Sequence, residues 1–101
     1  MPVRGLTIIV ATADRERFAL ALALASSNAA LGGAALVYAT GVAVTALDDA
    51  PAIAEALALG VRIVACQTAL AEHGLPIPDY AEGGGPVSLL AGLGDDRLVT
   101  L

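Results

Sequence analysis

Short apolar runs alternate with longer helix-forming segments along the chain. Strands buried on both faces of a sheet are predicted where the sequence is mostly apolar or β-branched, at residues 6–11, 35–39, 61–65 and 97–101. Helices are predicted between them at 15–31, 51–60 and 67–73, followed by a short helix that opens at 83–86 and ends near Gly94. A further apolar stretch at 41–47 is predicted to be a loop.

Strands that alternate with helices are typical of a parallel sheet covered by helices on both faces. We therefore expect an α/β fold, specifically a three-layer α/β/α domain over residues 1–101 with a mostly parallel sheet of four or five strands.

Turn residues set the expected helix boundaries. Asp14 can cap the first helix, and the glycines at 32–33 can close it. Asp48 and Asp49 stand just before Pro51, a pattern typical of a helix start. Glycines at positions 60 and 74 are expected to end the next two helices.

The thirty residues at 18–47 contain no charge, which is longer than the roughly 20 residues that span a bilayer. Polar and glycine positions at 26–28, 32–33 and 40–41 interrupt the run, and its many Ala and Gly residues anchor a membrane more weakly than Leu, Ile or Phe. We expect no membrane association, a first helix that is buried on most sides, and a homo-oligomer that covers the apolar surface. A membrane-associated subunit is the alternative.

Charge and composition narrow the function classes. Ten acidic residues against five arginines give a net charge of -5, which argues against a nucleic-acid-binding protein. One Cys and one His cannot build a zinc or iron–sulfur site within one chain, so neither a metal nor a cofactor is expected. The single Cys cannot form an intramolecular disulfide, and the charges at 14–17 follow the first apolar run too closely for a signal peptide. We expect a cytoplasmic protein.

Polar side chains divide between the two edges of the predicted sheet. Three arginines stand at strand starts, namely Arg4, Arg62 and Arg97. Asp14, Asp48 and Cys66 follow strands or the loops that leave them. Because open α/β sheets bind ligands at the carboxyl ends of their strands, the only thiol falls at the edge where a ligand is expected.

Cys66 is the candidate catalytic residue. It leaves a buried strand where the next helix begins, and free N–H groups and the helix dipole at such a position lower the pKa of a thiol. With no second Cys, a reactive Cys66 would exchange with a partner protein or carry a group. The alternative is a packing role, because free Cys is among the most often buried residue types. His73 lies about 10 Å further along that helix and is expected at the surface.

Two other groups of residues have plainer interpretations. The glycines at 83–85 could present N–H groups to an anion, but they lack the Lys and Ser/Thr of a P-loop, and a tight loop close to another strand end explains them as well. Four carboxylates could act in acid–base chemistry or hold magnesium, although helix capping and a solvated rim account for them, namely Asp14, Glu16, Asp48 and Asp49.

The order of these segments resembles that of the DsrE/DsrF-like sulfur-relay family. The strongest likeness is to the second DsrE subgroup, whose cysteine segment similarly reads Ala-Cys-Gln, as at 65–67 here. The segments that carry the resemblance are 6–10 with Asp14, 61–67, 73–75, 83–87 and 97–101.

The resemblance implies a compact α/β subunit that assembles into dimers, trimers or hexamers. It also implies a cysteine that accepts persulfide sulfur and passes it to another protein, a role that falls on Cys66. Sulfur donor and acceptor proteins are then the expected partners, and the activity is that of a sulfurtransferase or sulfur-relay carrier. The family often has paired aromatic residues at the end of the second strand, whereas this chain has Val-Tyr-Ala-Thr at 37–40. The pocket there is therefore expected to differ.

Six residues are expected to line the ligand site around Cys66, namely Gln67, Thr68, Asp14, Thr40, Gly84 and Gly85. The competing hypothesis is a non-catalytic oligomeric or small-ligand-binding α/β module in which Cys66 is structural.

Overall fold

The computed structural model of the protein describes residues 3–48 and 50–101. The strands are β1 Leu6–Val10, β2 Ala35–Ala39, β3 Arg62–Cys66, β4 Glu82–Gly84 and β5 Arg97–Thr100. The helices are α1 Arg15–Ala30, α2 Ala50–Ala58, α3 Gln67–Glu72 and α4 Pro86–Ala91, with a 3-10 helix at Gly41–Ala46. The five strands form one sheet in the order β4-β3-β2-β1-β5, and every pairing is parallel. The predicted α/β fold with a parallel sheet is confirmed.

Helices cover both faces of the sheet, but unequally. Ile8, Val37 and Ile63 are neighbours on β1, β2 and β3, and all three are buried on the face where α1 packs. From β1 to β4 the chain crosses the sheet in one direction, and right-handed crossovers place the connecting helices on that face. The return to β5 runs the other way, so α4 lies on the opposite face. On that face, residues of α4 together with Thr7 and Leu36 line a cavity of about 220 Å³.

Glycines end the helices where the sequence predicts. Gly60 has φ +92 and follows α2, where the Val61 N–H donates to the Ala56 carbonyl at 3.1 Å. Gly74 has φ +64 and follows α3 in the same way. A left-handed residue after a helix lets the chain turn back and satisfy the last carbonyls, and glycine adopts that conformation without strain.

Two local predictions are wrong. The expected loop at 41–47 is largely a 3-10 helix, because Ala43, Val44 and Ala46 are buried and the segment packs against α3. The glycine segment at 83–85 does lie close to another strand end, as expected, but residues 83 and 84 form part of the strand β4 beside β3 rather than a loop. The helix predicted to start near Pro51 is α2, which begins at Ala50, while Asp49, predicted to precede it, lies outside the described residues.

The helix α1 is buried on one side rather than on most sides. Phe18 and Leu22 are buried, whereas Leu20 and Leu24 are 48% and 40% exposed. A helix that lies on a sheet buries only the stripe that faces the sheet, so the uncharged outer side of α1 stays exposed in the single chain. Within residues 3–48 and 50–101, no helix combines the length and the apolar character needed to cross a membrane.

Candidate functional site

Cys66 stands where β3 becomes α3. It is the last residue of β3 and the N-cap of α3, with φ -64 and ψ 119. In the sheet, Cys66 pairs with Gly84 of β4, and Val64, two residues earlier, pairs with Tyr38 of β2. Side chains two residues apart on a strand point to the same face. Tyr38 and Cys66 therefore share one face of the sheet and lie diagonally across two neighbouring strands.

Four groups with a hydrogen to donate lower the pKa of the Cys66 thiol, although the Tyr38 hydroxyl has no hydrogen-bond partner in the resting site. The hydroxyls of Tyr38 and Thr40 come from the end of β2, and the backbone N–H groups of Thr68 and Ala69 come from the first turn of α3. The sulfur makes no capping hydrogen bond with the helix. The arrangement thus brings donors, and no carboxylate, to the thiol.

These donors lower the pKa of the Cys66 thiol below its ordinary value. Burial acts in the opposite direction and is the largest single influence, but Tyr38, Ala69, Thr40 and Thr68 together outweigh it. Each donor stabilises the negative sulfur more than the neutral thiol. The sequence predicts this direction from the free N–H groups at the start of a helix, and the N–H groups of Thr68 and Ala69 are in that first turn, whereas the Tyr38 hydroxyl is not predicted.

The sulfur atom is nevertheless almost enclosed, since Cys66 is 6% exposed. A reagent must approach through a narrow opening or wait for the surrounding backbone to move. Reactivity therefore depends on access to the sulfur as well as on its pKa.

Tyr38 is the residue of this site that the sequence did not identify. It is 2% exposed, and its hydroxyl is the one buried side-chain oxygen or nitrogen in the described part of the chain that has no hydrogen-bond partner. Burial, followed by the neighbouring Cys66, raises the pKa of Tyr38 to about 12. The phenol is therefore a neutral donor near pH 7. The Val-Tyr-Ala-Thr segment at 37–40 could have identified Tyr38, because it is the one aromatic residue on the predicted strand next to the strand that ends at Cys66.

The glycines of β4 permit its close approach to β3 and α3. A Cβ at Gly84 would lie 2.8 Å from Val64 Cγ1, and one at Gly83 would lie 2.7 Å from Gln67 Nε2. The β-branched Val64 side chain has little freedom to move, so glycine is favoured at position 84, whereas the flexible end of Gln67 can move aside for a Cβ at Gly83. Gly85 follows as the N-cap of α4, and a Cβ there would meet nothing within 4 Å.

The structure thus gathers most of the expected ligand-site residues around Cys66. Thr40 and Thr68 lower the pKa of the thiol, Gly84 pairs with Cys66 in the sheet, and Gln67 begins the helix that follows.

Asp14 is placed elsewhere. Its Oδ1 atom accepts a hydrogen bond from the Arg17 N–H at 3.1 Å, which makes it the N-cap of α1. Asp14 follows β1, and the strand β2 separates β1 from the cysteine strand. His73 is the exposed C-cap residue of α3. Among residues 3–48 and 50–101, no three His, Cys, Asp or Glu side chains are grouped closely enough to hold a metal ion.

The chemistry of this site follows from its donors. Hydroxyl and amide N–H groups around one thiol favour negative charge on sulfur, and a thiolate is the nucleophilic form of cysteine. The arrangement can therefore support attack by Cys66 on an electrophilic atom of a molecule small enough to reach the sulfur.

In comparisons with known proteins, neither a protein-family model nor a curated sequence matches this chain.

Proposed function

We propose that this protein is a sulfur carrier that accepts persulfide sulfur on Cys66 and passes it to a partner protein. The observation that carries the proposal is the place of the only cysteine of the chain between β3 and α3, where nearby hydroxyl and N–H groups lower the pKa of its thiol. A carrier needs a nucleophilic sulfur but no second cysteine, because the sulfur leaves to another molecule. The cytoplasm, where thiols stay reduced, is the compartment that suits this chemistry.

The proposed reaction consists of two sulfur-transfer steps. The Cys66 thiolate attacks the outer sulfur of a donor persulfide, R–S–SH. A new S–S bond forms to Cys66, the donor S–S bond breaks, and the donor leaves as R–S⁻. An acceptor thiolate then attacks the outer sulfur of the Cys66 persulfide, which regenerates the Cys66 thiolate. Sulfur passes from thiol to thiol, so no external oxidant or reductant is consumed.

The resemblance of the segment order to the DsrE/DsrF-like family supports the same proposal. The segment Ala-Cys-Gln at 65–67, which carries the likeness to the second DsrE subgroup, spans the end of β3 and the start of α3. The proposal assigns the donor and acceptor roles to proteins that carry a persulfide and a thiol, respectively.

Intact-mass spectrometry after incubation with glutathione persulfide tests the first step. The native chain is expected to gain the mass of one sulfur atom, and Cys66→Ser is expected to gain none. Addition of an acceptor thiol should return the native chain to its starting mass. A native chain that acquires no sulfur at pH 8, while remaining folded, contradicts the proposal.

A non-catalytic α/β module with a structural Cys66 is the second candidate, and the 6% exposure of Cys66 favours it. Titration with a small thiol reagent separates the two. A carrier reacts in the folded state, with a rate that follows the thiolate fraction. A structural cysteine reacts only after denaturant unfolds the chain.

Assembly into a homo-oligomer is part of the proposal. It is supported by large apolar side chains that the single chain leaves exposed, among them Leu31 at 70%, Val87 at 84% and Leu90 at 60%. Sedimentation equilibrium at micromolar concentration is expected to give a mass two, three or six times that of the chain. A monomer over the whole concentration range contradicts this part.

A further inference from the structure

The Tyr38 hydroxyl is a buried donor without an acceptor. Buried hydroxyls normally find hydrogen-bond partners, because leaving one unpaired destabilises the fold. Tyr38 is 2% exposed, and its hydroxyl lacks a partner. An exception of this kind calls for a physical reason, and the neighbour of this hydroxyl is the candidate nucleophile.

The position of the hydroxyl follows from the sheet register. Tyr38 lies opposite Val64, and Cys66 is two residues further towards the carboxyl edge on the same face. The side chain of Tyr38 is long enough to span this diagonal, and Tyr38 and Cys66 each affect the pKa of the other. A neutral thiol is a weak hydrogen-bond acceptor, whereas a thiolate or an anionic persulfide is a much stronger one.

We propose that Tyr38 is a positioning residue whose hydroxyl donates a hydrogen bond to the negatively charged sulfur at Cys66. The Tyr38 hydroxyl has no acceptor while Cys66 is a neutral thiol. When Cys66 ionises, the hydroxyl donates a hydrogen bond to the sulfur and holds it in place while the thiolate attacks. This inference rests on the proposed function only because it takes the Cys66 sulfur as the reacting atom. It adds a residue outside the sequence-predicted site and assigns that residue a distinct task.

Within residues 3–48 and 50–101, no charged side chain competes for this role. Among the described residues that act on the pKa of Cys66, Tyr38 is the only titratable one, and the others are the Thr40 hydroxyl and the N–H groups of Thr68 and Ala69. On the opposite flank, Gly84 of β4 offers no side chain, and the Glu82 carboxylate is engaged by Arg62 at 2.8 Å. Burial, the Thr40 hydroxyl and the two N–H groups also act on the thiol, so the effect of Tyr38 is read from the difference in thiol pKa between the native chain and Tyr38→Phe.

The test measures the rate at which iodoacetamide alkylates Cys66 between pH 5 and 10 in the native chain and in Tyr38→Phe. Loss of one hydrogen bond to the charged sulfur is expected to raise the thiol pKa by about one unit, which slows alkylation about tenfold well below that pKa. The two rates should converge at high pH, where both thiols are ionised. Tyr80→Phe is the matched control, because its hydroxyl bonds the Leu47 carbonyl instead, and its profile should equal that of the native chain.

A merely structural role for Tyr38 predicts a different outcome. Rates that change by the same factor at every pH, or an unchanged pKa in Tyr38→Phe, overturn the inference. As a second measurement, the native chain and Cys66→Ala are titrated by tyrosinate absorbance. The pKa of Tyr38, about 12 in the native chain, should fall when the thiolate is removed. An unchanged tyrosine titration also contradicts the inference.

The two proposals fail separately. A shifted thiol pKa in Tyr38→Phe together with no sulfur uptake by the native chain leaves the Tyr38 role standing and removes the carrier function. If the native chain takes up sulfur but the native chain and Tyr38→Phe have the same thiol pKa, the carrier function stands and the Tyr38 role is removed.

Discussion

The Arg97 guanidinium donates a hydrogen bond to Asn28 Oδ1 at 2.6 Å, although the two residues lie 69 positions apart. Asn28 is 4% exposed and sits near the end of α1, while Arg97 begins the edge strand β5. Asn28 Nδ2 in turn donates to the carbonyls of Arg4 and Ala34, which precede β1 and β2. One amide therefore ties α1 to the amino ends of three neighbouring strands.

Replacement of Asn28 is expected to destabilise the fold. Asn28→Ala removes all three hydrogen bonds from a buried position, and we expect the free energy of unfolding to fall by about 2 kcal/mol. Urea denaturation followed by circular dichroism measures the change. Ser27→Ala is the matched control, because the exposed Ser27 bonds only the carbonyl of Ala23 within its own helix. Equal midpoints for the two variants would refute the role given to Asn28.

The glycines around β4 predict a sharp contrast between adjacent positions. Gly84→Ala places a methyl group 2.8 Å from Val64 Cγ1, so β4 must shift away from β3 beside Cys66. We expect a loss of about 1–3 kcal/mol in unfolding free energy and faster alkylation of Cys66, because the strand next to the sulfur loosens. Gly85→Ala meets nothing within 4 Å and has an extended φ of -153, so it should match the native chain. Thermal unfolding and thiol alkylation of both variants check this, and a Gly84→Ala chain as stable as Gly85→Ala speaks against the close packing of β4.

The same two strands show which parts of the structure local sequence can predict. β3 is recognisable because the four residues after Arg62 form an apolar run that is buried throughout, and the position of Cys66 at its end follows directly. β4 has no such signal, because two of its three residues are glycines and it becomes a strand only by pairing with β3. The roles of Tyr38 and Asn28 could not be predicted from the sequence for a related reason. Their partners lie on other strands, so their roles depend on the strand order rather than on any spacing along the chain.

For α1, the sequence predicts more burial than the structure shows. The absence of charge over 18–47 predicts burial on most sides, yet Leu20 and Leu24 remain exposed in the single chain. Apolar character indicates that a surface disfavours water, but it does not say whether the same chain or another copy covers it.

The ion pair at the amino edge predicts a small loss of stability in acid. Arg62 donates two hydrogen bonds to Glu82, at 2.9 and 2.8 Å, and thereby holds the pKa of that carboxyl below its ordinary value. A carboxyl with a lowered pKa in the folded state stabilises the fold above the pKa of the unfolded chain, and this contribution disappears as the pH falls. Both side chains are more than half exposed, so we expect no more than about 0.5 kcal/mol.

Urea midpoints at pH 7 and pH 3 measure this contribution. The native chain should lose slightly more stability than Glu82→Gln between these pH values, and the difference should shrink in high salt. Glu55→Gln removes the same charge from an exposed site on α2 and should behave like the native chain. A drop of several kcal/mol that is specific to Glu82 would contradict the weak pair described here.

At alkaline pH the buried tyrosine should make a larger contribution. The pKa of Tyr38 is about 12 in the folded chain, against about 10 when the chain is unfolded. A raised pKa means that the fold binds the phenol proton more tightly. Its stabilising contribution is therefore complete below pH 10 and is lost as the pH rises towards 12. Two pKa units correspond to about 2–3 kcal/mol at the upper limit. We expect the urea midpoint of the native chain to fall more steeply between pH 9 and 11.5 than that of Tyr38→Phe, which has no phenol at this site to ionise. Parallel declines in the two chains would show that the ionisation of Tyr38 is not coupled to unfolding.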